Sequence, residues 1–349
     1  MTTQAQRAGK LLATVRPRKR SILSDNWATE AVQQSAGTRL TVFEAETNSI
    51  SLSGWIQKHG SVVSERLQQN GAVLFRGFDV QTVDAFHQTV SCFEGEEIAY
   101  RERSSPRTEV ARHIYTSTEY PADQSIFPHN ENSYAHVWPR RIFFFCLVAA
   151  KEGGETPIVD VRSVYESIDP EIRDRFARTG VLYIRNFSEQ FGMSWQKAFQ
   201  TDQRDEVEKI AGASGYRFNW RADNRLTTWR VGKASGRHPA TGQQIWFNHA
   251  AFFHISTLPH TIGKTLAAQL SDEDLPNNSY YGDGSPIKGD VIEHIRSSYL
   301  AHRHTFTWRQ GDVLALDNML VAHARQPYLG SRRILVAMKD PFQSEWFTS

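Results

Sequence analysis

The chain has 349 residues, of which 40% are hydrophobic and 11% aromatic, and its formal net charge is +2. This composition is typical of a globular protein with a substantial core and excludes an intrinsically disordered chain, while the small net charge argues against a nucleic-acid binder. No run approaches the ~20 apolar residues of a membrane-spanning helix, and no signal-peptide pattern is present, so we expect a cytoplasmic protein without a membrane partner.

The first 20 residues carry six basic side chains and no acidic one. Terminal charge runs of this kind are commonly solvated, and we predict a basic, poorly ordered N-terminal tail over residues 1–36. The alternative is an arm that docks on an acidic partner or on nucleic acid. Residues 37–349 are expected to form a single domain.

The first part of this domain shows one helix and two buried strands. Residues 51–69 have a helical pattern, which Asn70-Gly71 breaks before the apolar stretch AVLFRGF. That stretch predicts a buried strand. The apolar run IFFFCLVAA predicts a second buried strand over residues 142–150, and the polar turn KEGGETP ends it.

The second half mixes helical and extended patterns. Asp169-Pro170 resembles an N-cap followed by proline in the first helical turn, and it predicts a helix through about Arg178 that Gly180 closes. Residues 187–229 combine helical pattern with tryptophan and arginine, which indicates a helical insertion. Toward the C-terminus, short apolar strands alternate with turn residues, as in an antiparallel β core.

The stretch FPHNENSY places a histidine and a glutamate two residues apart, just before the long apolar run. In a β-strand, alternate residues point to the same face, so His129 and Glu131 would project together. Two such donors form half of a metal site. The alternative interpretation is that His129 caps a turn and Glu131 is merely solvated.

A third ligand is needed from elsewhere in the chain. Non-haem Fe(II) oxygenases bind the metal with two histidines and one carboxylate on one face. Jelly-roll barrels bring remote strands together across a small cavity, so the second histidine can be distant in sequence. Among the 13 histidines, His323 is best placed, because it follows the Gly311-Asp312 turn and a short strand and precedes the Arg332-Arg333 pair.

Five stretches resemble the taurine dioxygenase (TauD/TfdA) family of Fe(II)/2-oxoglutarate oxygenases. They are HNENSY, GGETP, WFNHAAFFH, YYGDGSPI and GDVLALDNMLVAHARQPYLGSRRILVAM. More narrowly, they are similar to the SyrP-like branch, whose members hydroxylate amino acids in peptide-antibiotic biosynthesis. The similarity runs over about residues 72–342, and it implies a double-stranded β-helix (jelly roll) core with flanking helices.

Residue by residue, the resemblance implies that His129, Glu131 and His323 are the iron ligands. It places Thr156 and Arg333 where the family holds the far carboxylate of 2-oxoglutarate. An arginine fork with a hydroxyl can fix a dicarboxylate whose other end chelates iron. The implied cofactor is Fe(II), with 2-oxoglutarate and O2 as cosubstrates. Arg332 is expected to be structural or to lie at the rim.

Two departures from the taurine enzyme limit the substrate and the reaction. Glu131 stands where that enzyme has aspartate, as in the SyrP-like and clavaminate-synthase-like branches. Four residues beyond Arg333, where the taurine enzyme binds its substrate with arginine, this chain has Ala337, so a sulfonate substrate is not expected. Related halogenases lack the carboxylate ligand, and Glu131 therefore favours hydroxylation, with desaturation or cyclisation as alternatives.

Other histidines and the cysteines receive structural interpretations. His249 and His254 lie among aromatic residues and are expected in the core or a cavity wall. His302 and His304 repeat the two-residue spacing without a suitable carboxylate, and His136 is a candidate partner of a metal ligand. Both cysteines, Cys92 and Cys146, are expected to be neither catalytic nor disulfide-bonded.

The sequence thus predicts an Fe(II)/2-oxoglutarate-dependent dioxygenase that oxidises an unactivated C–H bond in secondary metabolism. Its expected substrate is an amino acid or an amino-acid-derived compound, either free or tethered to a peptidyl carrier protein. One alternative is a metal-dependent hydrolase or cupin-type isomerase, which needs no dicarboxylate anchor. A second alternative is a non-catalytic sensor of iron or 2-oxoglutarate. No oligomeric state is predicted.

Overall fold

The computed structural model describes residues 18–22, 27–98, 107–118, 120–189, 192–258 and 274–348, with side chains from residue 27 onward. The strands are β1 (Arg18–Ile22), β2 (Ala28–Ser35), β3 (Thr38–Ala45), β4 (Ala72–Arg76), β5 (Glu109–Ala111), β6 (Ile114–Thr116), β7 (Ile126–His129), β8 (Val137–Val148), β9 (Glu152–Gly153), β10 (Ile158–Asp160), β11 (Val181–Phe187), β12 (Arg217–Trp220), β13 (Leu226–Gly232), β14 (Ser235–Arg237), β15 (Gln244–Trp246), β16 (Asn277–Tyr281), β17 (Arg303–His304), β18 (Val313–Asp317), β19 (Val321–Arg325), β20 (Tyr328–Leu329) and β21 (Arg333–Gln343). The helices are α1 (Leu52–Asn70), α2 (Val83–Ser91), α3 (Val161–Ser167), α4 (Pro170–Thr179), α5 (Trp195–Phe199), α6 (Arg204–Ala213), α7 (Ala250–Phe253) and α8 (Gly289–Ala301).

Two sheets form the jelly-roll core that the sequence predicts. The major sheet has the strand order β1-β2-β3-β4-β18-β8-β21-β6-β5, and the minor sheet has the order β17-β10-β19-β7. Strands β3 and β4 pair in parallel, and the other pairings in these two sheets are antiparallel. The predicted mainly β fold with flanking helices is therefore confirmed. No helix in the described ranges has both the length and the apolar character that a bilayer crossing requires.

Strand β8 explains why the apolar run IFFFCLVAA shows no alternation. Ile142 and Phe144 belong to the large core cluster, which also contains the minor-sheet residue Ile158. Phe143 and Phe145 point to the other face, into a second cluster that includes Trp55 of helix α1. Because both faces of the strand are buried, every position must be apolar.

Helix α1 begins and ends where its sequence signals place it. Its N-cap residue Ser51 accepts a hydrogen bond from the backbone N–H of Gly54, and Gly71 ends it in the left-handed conformation, with φ of 73°. A Cβ atom on Gly71 would clash with Cγ2 of Val321. Glycine is therefore required twice, for its positive φ and for close contact with strand β19.

The inserted unit includes strands from both sides of the predicted range, residues 187–229. Strands β12, β13, β11 and β16 form a separate antiparallel sheet, so the inserted unit also recruits Val181–Phe187 before it and Asn277–Tyr281 after it. Helices α5 and α6 supply an apolar cluster of its own, which includes Trp195 and Val207. The pattern of helices was predicted, but the pairing of distant strands around them was not.

The expected N-terminal tail also needs correction. Strand β2 pairs with β3 along its whole length, from Ala28 opposite Ala45 to Ser35 opposite Thr38. The sheet therefore begins well before residue 37. The rest of the basic segment up to residue 17 lies outside the described residues.

Candidate metal centre

The minor sheet places two histidines side by side. His129 ends strand β7, and His323 lies in the middle of β19, where the two residues are direct cross-strand partners. Directly opposite residues of an antiparallel pair have closely spaced Cβ atoms, so their side chains meet on the same face. The centres of the two imidazole rings are 4.5 Å apart.

Glu131 completes the group, but not by strand alternation. Strand β7 ends at His129, and Glu131 lies in the turn that follows. Its Oε2 atom is 3.8 Å from Nε2 of His323, and one ligand atom from each of the three residues lies within 4.8 Å of the others. Among the described residues, these three form the group that could hold a metal ion. The three predicted ligands are therefore close together, but a turn, and not strand alternation, brings Glu131 to the histidines.

Asn318 fixes the backbone of this turn. Its Oδ1 accepts a hydrogen bond from the N–H of Glu131 at 2.7 Å, and its Nδ2 donates to the carbonyl oxygen of Glu131 at 3.0 Å. The same Nδ2 donates to the carbonyl of Pro139, and Asn130 donates to the carbonyl of Asn318. Asn318 is fully buried, and its amide group makes the two hydrogen bonds to the Glu131 backbone that a neighbouring strand would make.

The carboxylate of Glu131 is held from a second side. Nη2 of Arg107 donates to Oε2 of Glu131 at 2.7 Å, and both side chains are 3% exposed. A charge-assisted hydrogen bond of this kind keeps a carboxylate ionised and oriented. Sequence reasoning missed both Arg107 and Asn318.

Both histidines are in the form that binds a metal. Nδ1 of His129 lies 2.9 Å from the carbonyl oxygen of Phe127, which orients Nε2 away from the backbone. Burial lowers the pKa of His129, against the opposing charge of Glu131, and burial lowers the pKa of His323 well below its ordinary value. Neutral imidazoles and an ionised carboxylate are the donor set that suits ferrous iron.

A narrow cavity adjoins this group on the side of strand β19. Thr156, Arg325 and Arg332 line it together with His129 and His323. No acidic side chain of the described residues lines it. The cavity thus offers buried positive charge to a ligand that is anionic.

The polar groups of the narrow cavity are held by their neighbours. Arg332 donates from Nε to the carbonyl of Gly154 at 2.9 Å, while burial and then the charge of Arg325 lower the pKa of Arg332 to about 10. Oγ1 of Thr156, which is 3% exposed, accepts a hydrogen bond from Nε1 of Trp308 at 3.0 Å. The predicted residue Thr156 is therefore beside the triad.

The expected role of Arg333 needs correction. Arg333 is exposed at the start of strand β21, where it lies opposite Val148, and it does not line the narrow cavity. Arg332 lines that cavity instead. Ile334 also lines the narrow cavity and lies two residues after Arg332, so strand alternation favours Arg332 on the cavity side, whereas the family resemblance implied its neighbour Arg333.

A second, larger cavity of about 1090 Å³ also reaches the triad. His129 and Glu131 lie in its wall beside the rings of Phe127 and Phe252. Its basic side chains include Arg107, Arg185, Lys197 and Arg296. Because His129 and Arg107 line both cavities, the candidate metal site is at their junction.

The other histidines that the sequence analysis considered lie outside the metal group. Nδ1 of His249 is 2.7 Å from Oγ of Ser133, and both ring nitrogens of His254 have hydrogen-bond partners. His302 hydrogen-bonds the carbonyl of Ala36, whereas His304 is buried. His136 contacts Ser344 and Glu345, so it is not the expected partner of a metal ligand.

Comparison with known proteins agrees with this site. The chain matches the family model described as taurine catabolism dioxygenase TauD, TfdA family over residues 32–338. It is 39% identical over 307 residues to the dapdiamide synthesis protein DdaC of Enterobacter agglomerans, with 88% of this chain and 93% of that protein covered. It is 31% identical over 301 residues to a clavaminate synthase-like protein of Arabidopsis thaliana, with 81% and 84% covered.

Among solved structures, the chain is similar in fold to the PvcB protein from Pseudomonas aeruginosa. The TM-score is 0.55 at 12% identity, and 92% of this chain and 94% of that chain are covered. PvcB is an Fe, alpha-ketoglutarate dependent oxygenase from an isonitrile synthetic pathway.

The jelly roll, the two-histidine-one-carboxylate group and the arginine-lined cavity define an iron- and 2-oxoglutarate-dependent dioxygenase. The chain belongs to the TauD, TfdA family. The predicted fold, enzyme class and cofactors are thereby confirmed, and the narrower SyrP-like assignment stays a prediction.

Proposed function

We propose that His129, Glu131 and His323 ligate the iron and that Arg332, with Thr156, anchors the far carboxylate of 2-oxoglutarate. The observation that carries this proposal is the position of His129 at the junction of two cavities. One is narrow and cationic, which suits a dicarboxylate that reaches the metal. The other is large, and it suits a substrate that approaches the metal.

When bound, iron and 2-oxoglutarate supply the oxidising chemistry, in which O2 is consumed and the keto acid is converted to succinate and CO2. The protein contributes three things. It presents two neutral imidazoles and one fixed carboxylate, it neutralises the keto acid with guanidinium groups, and it encloses the site among aromatic side chains that exclude water.

The substrate that we propose is an amino acid or an amino-acid-derived compound of natural-product biosynthesis. This is supported by the 39% identity to a dapdiamide synthesis protein over nearly the whole chain. The expected reaction is hydroxylation of an unactivated C–H bond, because the complete triad includes Glu131 where related halogenases lack a carboxylate. Desaturation and cyclisation begin with the same hydrogen abstraction.

The sulfonate argument survives the correction of the arginine. Four residues beyond Arg332 is Val336, and four beyond Arg333 is Ala337, so neither position offers a positive charge. Both residues are buried in strand β21. At neither position does this chain have the arginine with which the taurine enzyme binds its substrate.

An anaerobic titration of the purified protein with Fe(II) and 2-oxoglutarate tests the site. We expect the visible metal-to-ligand charge-transfer band of a chelated keto acid. A screen of amino acids and N-acyl amino acids for stimulated succinate release then tests the substrate class. Absence of the band in protein that is folded by circular dichroism would contradict the proposed site.

A further inference from the structure

Arg296 places a guanidinium in the wall of the large cavity. It projects from helix α8, and its Cζ atom lies 3.8 Å from the centre of the Phe127 ring. Nη1 donates a hydrogen bond to the carbonyl of Ala251 at 3.2 Å. Stacking on the ring and one backbone contact hold the guanidinium plane in place.

The charge of Arg296 has no acidic partner among the residues that the structure describes. Glu293 lies three residues earlier on the same helix, but it is exposed, and its Oε1 atom accepts a hydrogen bond from Oγ of Ser297. A guanidinium has five N–H donors, and the described contacts of Arg296 use one of them. A half-buried cation with donors left over in a cleft is a candidate binding group.

The electrostatic surroundings in the large cavity favour an anion near its inner wall. Arg185 is 4% exposed, and its Cζ atom lies 5.0 Å from the Tyr134 ring. Of the acidic residues that line the cavity, Asp123 and Glu189 are exposed, so water screens their charges, and the buried Glu131 is paired with Arg107. Among the described lining residues, Arg185 and Arg296 therefore offer positive charge that no acidic side chain of the lining pairs with in a described salt bridge.

Arg296 is also linked to the candidate metal ligand His129 through Phe127. Phe127, on which it stacks, is two residues before His129 on strand β7, and the Phe127 carbonyl contacts the His129 ring. An anionic group on Arg296 is thereby fixed relative to His129. Planar carboxylates match the guanidinium fork in bidentate fashion.

From these observations we propose that Arg296 binds a carboxylate of the substrate and selects substrates in which that carboxylate is free. A substrate whose carboxyl group is consumed in a carrier-protein thioester lacks this anion. The inference rests on the proposed function, since it concerns the substrate of the same site. It goes beyond that function by choosing the free acid over the tethered form.

Anaerobic isothermal titration calorimetry tests the inference with defined probes. The protein, loaded with Fe(II) and 2-oxoglutarate, is titrated with the proteinogenic L-amino acids, their N-acetyl derivatives and the matching carboxamides of both sets. We expect at least one acid to bind about tenfold or more tightly than its carboxamide, as the loss of a charge-assisted contact predicts. Arg296→Met should bring the two affinities within about threefold of each other, and Arg296→Lys should retain part of the preference.

The matched control is Arg303→Met, because Arg303 is exposed just beyond helix α8 and does not line the cavity. It should keep the wild-type preference. Binding of no acid in the panel, equal binding of acids and carboxamides, or an unchanged preference in Arg296→Met each overturns the inference. The charge-transfer band separates the two proposals. If the folded Arg296→Met variant keeps the band, the proposed iron and 2-oxoglutarate site stands, whether or not the variant still prefers acids to carboxamides.

Discussion

Asn318 pairs with Glu131 as a neighbouring strand would, accepting from its backbone N–H and donating to its carbonyl at 2.7 and 3.0 Å. The carboxylate that we assign to iron is therefore positioned by a side chain 187 residues away in the sequence. Partners of this kind orient ligands and influence metal affinity without contacting the metal.

Replacement of Asn318 by alanine should loosen the metal site. The change leaves a buried N–H and a buried C=O of Glu131 without their partner, and we expect Fe(II) affinity to fall about 10- to 100-fold. Anaerobic Fe(II) titration followed by the charge-transfer band measures this. Asn219→Ala, at an exposed position of strand β12, is the control and should bind iron normally. Equal iron affinity in both variants would refute the positioning role.

The assigned iron ligands predict a shared loss of function. His129→Ala, Glu131→Ala and His323→Ala should each abolish the charge-transfer band and succinate formation, because two remaining donors hold ferrous iron weakly. His302→Ala is a matched histidine control from outside the cavities. Unimpaired succinate release by any of the three folded variants would remove that residue from the ligand set.

The neighbouring arginines Arg332 and Arg333 give a direct test of the cosubstrate anchor. Arg332→Met should raise the KM for 2-oxoglutarate by about 10- to 200-fold, which corresponds to loss of a charged hydrogen bond worth about 1.5–3 kcal/mol. Arg333→Met should change this KM little, since Arg333 is exposed. Steady-state succinate release at varied 2-oxoglutarate decides the matter. The opposite ranking would restore the expectation drawn from the sequence.

The cysteines should be poorly reactive in the native protein. Burial raises the pKa of Cys146 to about 12, and burial also raises the pKa of the half-buried Cys92. The thiolate is the reactive form, so neither thiol should be labelled readily at pH 8. Iodoacetamide labelling with and without guanidinium chloride, read by mass spectrometry, should modify Cys146 only after unfolding. Rapid labelling of native Cys146 would contradict the structure.

Acid should weaken the fold partly through Asp317. Burial by itself would raise the pKa of Asp317, but the hydrogen bond to His238 and the charge of Arg141 outweigh it and hold the pKa far below its ordinary value. A lowered native pKa contributes stability above the unfolded pKa of about 3.9, and that contribution is lost as pH falls toward the native value.

Asp317→Asn should therefore cost about 3–5 kcal/mol of unfolding free energy at pH 7, as expected for a broken buried pair, and less at pH 3. Urea denaturation of both proteins across this pH range measures the difference. Asp174→Asn, at an exposed helix position, controls for the loss of an acid. A pH-independent difference between wild type and Asp317→Asn would exclude this linkage.

Local sequence patterns predicted the secondary structure well where the stabilising interactions act between residues close in sequence. Ser51 and Gly71 bound the first helix because a cap and a left-handed glycine act within one turn. The metal triad could not be predicted from local patterns alone, because no spacing rule links residue 131 to residue 323. The ordered series of motifs supplied that link through family resemblance.

Other parts of the site were missed for different reasons. The family resemblance implied Arg333 as the anchor, although alternation from the buried Ile334 favours Arg332 on the cavity side. Asn318 did leave a trace, because a polar Asp-Asn pair inside the apolar run VLALDNMLVA must find buried partners. Arg107 lies in no motif, and its approach to Glu131 follows only from the folded chain.

The inserted sheet and the jelly roll contribute different residues to the site. Jelly-roll strands β7 and β19 carry the histidines, whereas Arg185, Asn186, Phe187 and Asn277 bring the insertion to the large cavity. The insertion thus shapes part of the large cavity without contributing a candidate iron ligand. Substitutions at these cavity-facing positions of the insertion can therefore change the shape of the large cavity while the two strands that carry the histidines stay as they are.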